Sequence, residues 1–161
     1  MGGGNVKLAA EPLRGRSGHE AGRELLKRMY REETGASCPE IAVAQRGKPY
    51  FVDSSWHFSI SHTPNHVFCA LSDKPVGLDA EEMDRKVNLR LAEKILSESE
   101  KSRYDAAEDK RAALLRLWVL KEAAAKLTGE GLRGYPNRTD FDPGDHRIIE
   151  MDGCYVAVIT E

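Results

Sequence analysis

The hydrophobic pattern of the chain changes period twice. Leu25, Leu26, Met29 and Tyr30 recur at helical spacing and predict a helix over residues 18–34. Gly35 is placed to stop it, and Pro39 prevents an early restart. A period of two then takes over. Residues 41–45 alternate weakly, Arg46-Gly-Lys-Pro49 reads as a turn, and residues 50–52 continue as a short strand. Over 57–61, Phe58 and Ile60 fall on one face while His57, Ser59 and Ser61 fall on the other. Residues 63–66 turn around Pro64 and Asn65, 67–72 form an apolar strand, Asp73-Lys74-Pro75 turns again, and 76–81 make a third strand. Turns this short predict an antiparallel meander forming one sheet. Before all of this, residues 1–4 read as a frayed start and 5–15 as irregular chain with a short strand at 6–9.

Beyond residue 88 the helical period returns. It predicts a helix over 88–96, then a short polar one opened by Ser97 as N-cap with Glu100 at the capping-box position. A long helix over 109–127 carries Leu114, Leu117, Trp118, the stem of Lys121 and Ala125. Leu115, Val119 and Ala123 broaden that stripe, so this helix is expected to lie well buried against the sheet. Gly129 and Gly131 end it, a Pro/Gly-rich loop covers 132–145, and Asp152-Gly153 turns a hairpin between 147–151 and 154–159. Strands, then helices, then strands predict an α+β fold: an antiparallel sheet packed against a long helix.

Composition narrows the picture without pointing to a chemistry. The 161 residues suit one domain with a real core. A net charge of -2 carries no global basic field, so nucleic acid is not an expected partner. No apolar run approaches the roughly 18 residues of a membrane span, and no signal-peptide pattern is present, which favours a cytoplasmic protein. Cys38, Cys69 and Cys154 are scattered without zinc spacing. Cys69 and Cys154 sit in apolar runs and read as buried thiols of a reducing compartment.

Chemistry is concentrated in a few places. Asp79 and Glu81 stand two apart at the end of the 76–81 strand, hence on one face. Two carboxylates so placed repel each other unless a cation sits between them, and magnesium is a hard cation that does so while also taking phosphate ligands. A solvated strand end is the plainer reading of the spacing alone. Glu122 and Lys126 share one face of the long helix. They read either as a helix-stabilising pair or as a third carboxylate meeting Asp79 and Glu81, with Lys121 and Lys126 beside a phosphate. Ser61-His62 is either a capped turn or a phosphate contact, and Arg46 and Lys48 form a small basic patch around Gly47. Lys110, Arg111 and Arg116 read either as a local basic docking patch or, more plainly, as an ordinary solvated face. There is no P-loop, dinucleotide fingerprint or serine-hydrolase elbow.

In order along the chain, Arg46-Gly-Lys-Pro-Tyr-Phe51, Phe58-Ser-Ile-Ser-His62-Thr, Val76-Gly-Leu-Asp79-Ala-Glu81, Leu117-Trp-Val-Leu-Lys-Glu122-Ala-Ala-Ala-Lys126 and Thr128-Gly-Glu-Gly131-Leu132 resemble the 4'-phosphopantetheinyl transferases of the surfactin-synthetase-activating type. The resemblance implies an enzyme that moves the phosphopantetheine arm of coenzyme A to a serine of an apo acyl or peptidyl carrier protein, releasing adenosine 3',5'-bisphosphate. It implies that Asp79, Glu81 and Glu122 hold Mg²⁺ and that Lys126 contacts the pyrophosphate. Ser61 and His62 would hold phosphate groups, and Lys48 with Arg46 would lie near the 3'-phosphate and adenine. Glu122 is the implied general base, alone or through a metal-bound water. Residues 1–45 look like a reduced N-terminal portion ahead of a catalytic half at 46–161, all in a single domain. Ala80 replaces a bulkier aliphatic residue. Self-association into a homo-oligomer would be one way to complete the coenzyme A pocket. Two rival readings stand beside the transferase: a non-catalytic coenzyme A or carrier-binding module, and a Mg-dependent nucleotide pyrophosphate hydrolase.

Overall fold

The computed structural model describes residues 5–129 and 139–161. The chain runs β1 (Val6–Pro12), α1 (Gly18–Thr34), β2 (Ile41–Val43), β3 (Pro49–Phe51), β4 (His57–His62), β5 (His66–Ser72), β6 (Val76–Glu82), α2 (Leu91–Ile95), α3 (Glu98–Asp105), α4 (Lys110–Thr128), β7 (Ile148–Met151) and β8 (Cys154–Thr160). The expected α+β class stands; the helices predicted over 18–34 and 109–127 keep their places, while the one predicted over 88–96 shortens to α2. α1 opens on Ser17, whose side chain accepts the Glu20 N–H, and closes on Gly35 at φ 73°. α3 opens on the reciprocal Ser97–Glu100 capping box, and α4 on Asp109. Both turn residues of the last hairpin, Asp152 and Gly153, have positive φ, which the tight turn requires. The predicted stop at Gly131, the motif end at Leu132, the loop up to residue 138 and the frayed start over 1–4 lie outside the described residues.

The single meander is not what forms. Among the described residues the strands divide into three antiparallel sheets: β1-β5-β4, β2-β3 and β6-β8-β7. β4 and β5 make the expected hairpin, but β6 pairs along its length with β8. The reason lies in residues 5–15, which are more regular than their pattern suggests. All of β1 pairs with β5, with Pro12 at the last position of the strand. β5 thus has both edges occupied, and the Asp73-Lys74-Pro75 turn carries the chain to a second sheet.

Strand alternation then organises the core. On β5, Val67, Cys69 and Leu71 face α1 and its Leu25, Leu26 and Met29, while Phe68 and Ala70 face the second sheet. On β6, Val76, Leu78 and Ala80 meet Phe68 and Ala70, so Ala80 is a core contact between the sheets. Gly77, Asp79 and Glu81 therefore face α4. The approach there is very close: a Cβ on Gly77 would lie 1.9 Å from the Ala123 carbonyl oxygen. α4 buries Leu115, Val119, Leu120 and Ala123 against β8, as its broad stripe predicted. The predicted burial of Cys69 and Cys154 also holds, and all three cysteines are free thiols.

β4 and β6 meet edge to edge without a backbone ladder. The hydroxyl of Ser59 accepts the Leu78 N–H at 3.0 Å, and that of Ser61 accepts the Ala80 N–H at 3.3 Å. Two side chains thus stand in for ladder acceptors and bring the polar face of β4 against the acids of β6.

Candidate active site

Asp79 is the buried member of the acidic group, 7% exposed. Its Oδ1 accepts from Lys126 Nζ at 3.2 Å and from the Ser61 hydroxyl at 3.2 Å. Its Oδ2 is buried with no hydrogen-bond partner among the described residues. Burial pushes the carboxyl up to about 7, against the downward pull of Lys126 and with further upward pushes from Glu81 and Glu122. Glu122 is raised as well, by burial first and by Glu81, while Lys126 opposes. The three acids from β6 and α4 therefore lie within one another's electrostatic reach, as their alternation and helical phase imply.

They do not form a ready-made cage. Glu81 is turned to Arg85, whose guanidinium donates to it at 2.6 Å. Among the described residues, no group of three or more His, Cys, Asp or Glu side chains is arranged to hold a metal ion. The donor chemistry nevertheless fits a hard divalent cation. All the donors are oxygens, they repel one another, and Asp79 Oδ2 is a buried acceptor with no donor among the described residues.

Beside the acids lies a cleft of about 270 Å³. Arg46 and Lys48 line it from the turn between β2 and β3, Glu122 and Lys126 from α4, and Phe58 and Ile60 from β4. Four residues singled out in the sequence thus share one cavity. Lys48 is half-buried, and its Nζ donates to the Leu127 carbonyl at 2.7 Å, on the last turn of α4. Burial pulls its pKa down, and Glu161 partly restores it. Gly129 makes the close approach workable: it caps α4 at φ 76°, and a Cβ there would meet the Lys48 chain at 3.2 Å.

Ser61 and His62 part company. Ser61 is buried and its hydroxyl is committed to Asp79 and Ala80. His62 is exposed on the opposite face of β4, with its ring against the start of α1, where a Cβ on Gly18 would come within 2.2 Å of it. The expectation that Lys121 lies beside a phosphate is overturned. Lys121 is 1% exposed and donates to Glu100 at 2.7 Å and to the Thr139 hydroxyl. The three cations at the start of α4 have internal partners too. Lys110 donates to Asp105 O, Arg111 to Met83 O and Arg116 to Pro143 O.

Three contributors escaped the sequence reading. Ser59 was visible on the polar face of β4 and within the Phe58–Thr63 motif but was given no role. Arg85 gave no signal. Glu100 read only as a helix cap.

The family model of the 4'-phosphopantetheinyl transferase superfamily matches residues 75–152, the stretch that runs from β6 through α4 to β7. Curated relatives agree. The chain is 36% identical over 88 residues to 4'-phosphopantetheinyl transferase gsp of Aneurinibacillus migulanus, covering 53% of this chain and 36% of the relative. It is 40% identical over 80 residues to psf-1 of Bacillus pumilus, covering 48% and 34%. It is 30% identical over 113 residues to Sfp of Bacillus subtilis (strain 168), covering 68% and 49%. The chain thus spans about half or less of the length of these relatives. The matched segment, a little under half of the chain, contains Asp79, Glu81, Glu122 and Lys126 together, and over it the chain is similar to the 4'-phosphopantetheinyl transferase superfamily.

Proposed function

We propose that this protein transfers the 4'-phosphopantetheine group of coenzyme A to a serine hydroxyl of an apo acyl or peptidyl carrier protein in the cytoplasm, with Mg²⁺. The observation that carries the reading is the junction of a cationic cleft with a buried acid. Lys126 lines the cleft and bonds to Asp79, and Glu122 stands one helical turn before it. In the reaction, the serine oxygen forms a bond to the phosphorus that bears pantetheine. The bond from that phosphorus to the bridging oxygen breaks, and adenosine 3',5'-bisphosphate leaves with the electron pair. Lys126 on one wall and Arg46 and Lys48 on the other offset the negative charge of the phosphates. Glu122 takes the serine proton. His62 is an outer phosphate contact, and Ser61 holds Asp79. Asp79, Glu81 and Glu122 would hold magnesium, which supplies further charge neutralisation at the pyrophosphate. No helix among the described residues is long and apolar enough to cross a membrane, so the cleft is not read as a membrane site.

A second reading draws on the ion pairs. Asp79 and Glu81 already have cationic partners in Lys126 and Arg85, an arrangement suited to a module that binds coenzyme A or a carrier without turnover. One experiment separates the two. The protein is incubated with coenzyme A, Mg²⁺ and a panel of apo carrier proteins, and the carriers are weighed by intact-mass spectrometry. Addition of one phosphopantetheine supports transfer. Coenzyme A binding with every carrier unmodified supports the module. Release of adenosine 3',5'-bisphosphate without a modified carrier would instead mean hydrolysis.

A further inference from the structure

The mechanism leaves unused the most deeply buried ion pair among the described residues. Both side chains of Lys121–Glu100 are 0% exposed. Glu100 is saturated. Its Oε1 accepts from Lys121 Nζ at 2.7 Å and the Ser97 N–H at 2.9 Å, and its Oε2 accepts from the Thr139 hydroxyl at 2.7 Å and the Phe141 N–H at 2.9 Å. Lys121 completes a triangle by donating to the Thr139 hydroxyl. Ser99 and Arg103 add bonds to Asp140, and Arg103 adds one to the Phe141 carbonyl. Three elements are therefore pinned at one point: α3, α4 and the chain that returns at residue 139.

Lys121 and Glu122 are neighbours on α4, about 100° apart around its axis. A buried lysine committed to α3 fixes the roll of the helix. Fixing the roll decides whether Glu122 and Lys126 face the cleft, because both lie within about two turns of Lys121. An apolar contact at position 121 would bury as well but would not select one angle so sharply, since hydrogen bonds are directional and apolar contacts are not.

We propose that Glu100, Lys121 and Thr139 are positioning residues: their buried network sets the roll of α4 and thereby aims Glu122 and Lys126 into the cleft. The kinetic part rests on the transferase reading above; the geometric part does not.

The test uses the full chain with Glu100→Leu and Lys121→Met together, an exchange of a buried ion pair for apolar groups that often leaves stability intact. Three readouts follow: amide exchange at Phe141, acylation of Lys126 by a lysine-directed reagent followed by peptide mass spectrometry, and transfer kinetics. The expected result is a folded protein with a faster-exchanging Phe141 amide. Lys126 is acylated severalfold faster, because it is released from Asp79. kcat falls at least about tenfold while KM for coenzyme A changes less, as expected when reacting groups are misaligned rather than lost. Thr139→Val, which removes only a hydroxyl, gives a smaller change of the same kind and serves if the double variant does not fold.

Unchanged Lys126 acylation in a folded variant that has lost Phe141 protection overturns the proposal. So does a kcat within threefold of wild type. A wild-type protein that modifies no carrier removes the transferase reading, and the Lys126 acylation rates then decide the positioning claim alone.

Discussion

At the scale of single residues, the site turns on how Asp79 shares out its two oxygens. Oδ1 takes Ser61 and Lys126 as donors, while Oδ2 takes none among the described residues. Ser61 is able to do this because its hydroxyl also accepts from the β6 backbone at Ala80. Ser61→Ala removes a donor from Asp79 and leaves the Ala80 N–H without its acceptor. The expected stability loss is about 1–3 kcal/mol, the cost of one buried unsatisfied group. Urea unfolding measures that loss, and carrier modification should fall with it. Glu122→Gln separates the chemistry from the fold. It keeps the side-chain volume and removes the proposed base, so carrier modification should fall by about 10²-fold or more with the thermal midpoint nearly unchanged.

Glu100 carries a prediction in pH. Burial pushes its carboxyl up, but hydrogen bonds from Lys121, the Phe141 and Ser97 backbones and Thr139 outweigh that push, so it rests below its ordinary 4.5. A depressed carboxylate contributes stability that is present above the unfolded value and lost as pH falls through the folded one. Thermal midpoints taken downward from pH 5 should therefore fall more steeply for wild type than for Glu100→Gln, which has no carboxyl to protonate. Equal slopes would mean that the network does not hold the charged form.

Among the elements, β6 and α4 form the tightest junction, and Gly77 is the reason. Gly77→Ala places a methyl group 1.9 Å from the Ala123 oxygen, a backbone atom that can yield only if the helix moves. Overpacking of this kind costs about 1–3 kcal/mol or more, and moving α4 also displaces Glu122. Both stability and carrier modification should fall together, in contrast to Glu122→Gln.

The same two elements show what a sequence can and cannot convey. Their apolar periods, the Asp109 and Ser97 caps and the Asp152-Gly153 turn are local signals, and each settles where an element starts, stops or turns. The placing of Asp79 and Glu81 on one face was legible because alternation is local too. Pairing is not local. β6 chooses β8, more than 70 residues later, and nothing in Val76–Glu82 names that partner. β1 was read only over 6–9, because Leu8 and Ala10 pack toward the second sheet while Ala9 packs toward α1, so the strand lacks the clean alternation of a half-buried one. Lys121 was misplaced for a similar reason. A lysine beside Glu122 on the long helix reads as a cation for a ligand, whereas its partner, Glu100, is a cap residue on another helix.

On the scale of the whole molecule, the cleft lies where the two α-on-sheet halves meet. Arg46, Lys48 and Phe58 come from the half that packs on α1, and Glu122 and Lys126 from the helix that covers the other half. The halves are already joined by the Phe68–Val156 core and the two serine stitches. A ligand held by both walls would add its own binding energy to that joint, since anything bound only by the native state raises its stability by RT ln(1 + [L]/Kd), about 2.7 kcal/mol at 100 times Kd. Coenzyme A should therefore raise the unfolding midpoint of the chain in one cooperative step. Arg46→Ala tests whether both walls take part. Arg46 is exposed on a turn, so its loss should leave the ligand-free midpoint unchanged while shrinking the increment given by coenzyme A. Adenosine 3',5'-bisphosphate should give a smaller increment than coenzyme A, because it leaves the contacts to the second phosphate unmade. An increment that Arg46→Ala does not alter would confine binding to the α4 wall and leave the basic turn outside the site.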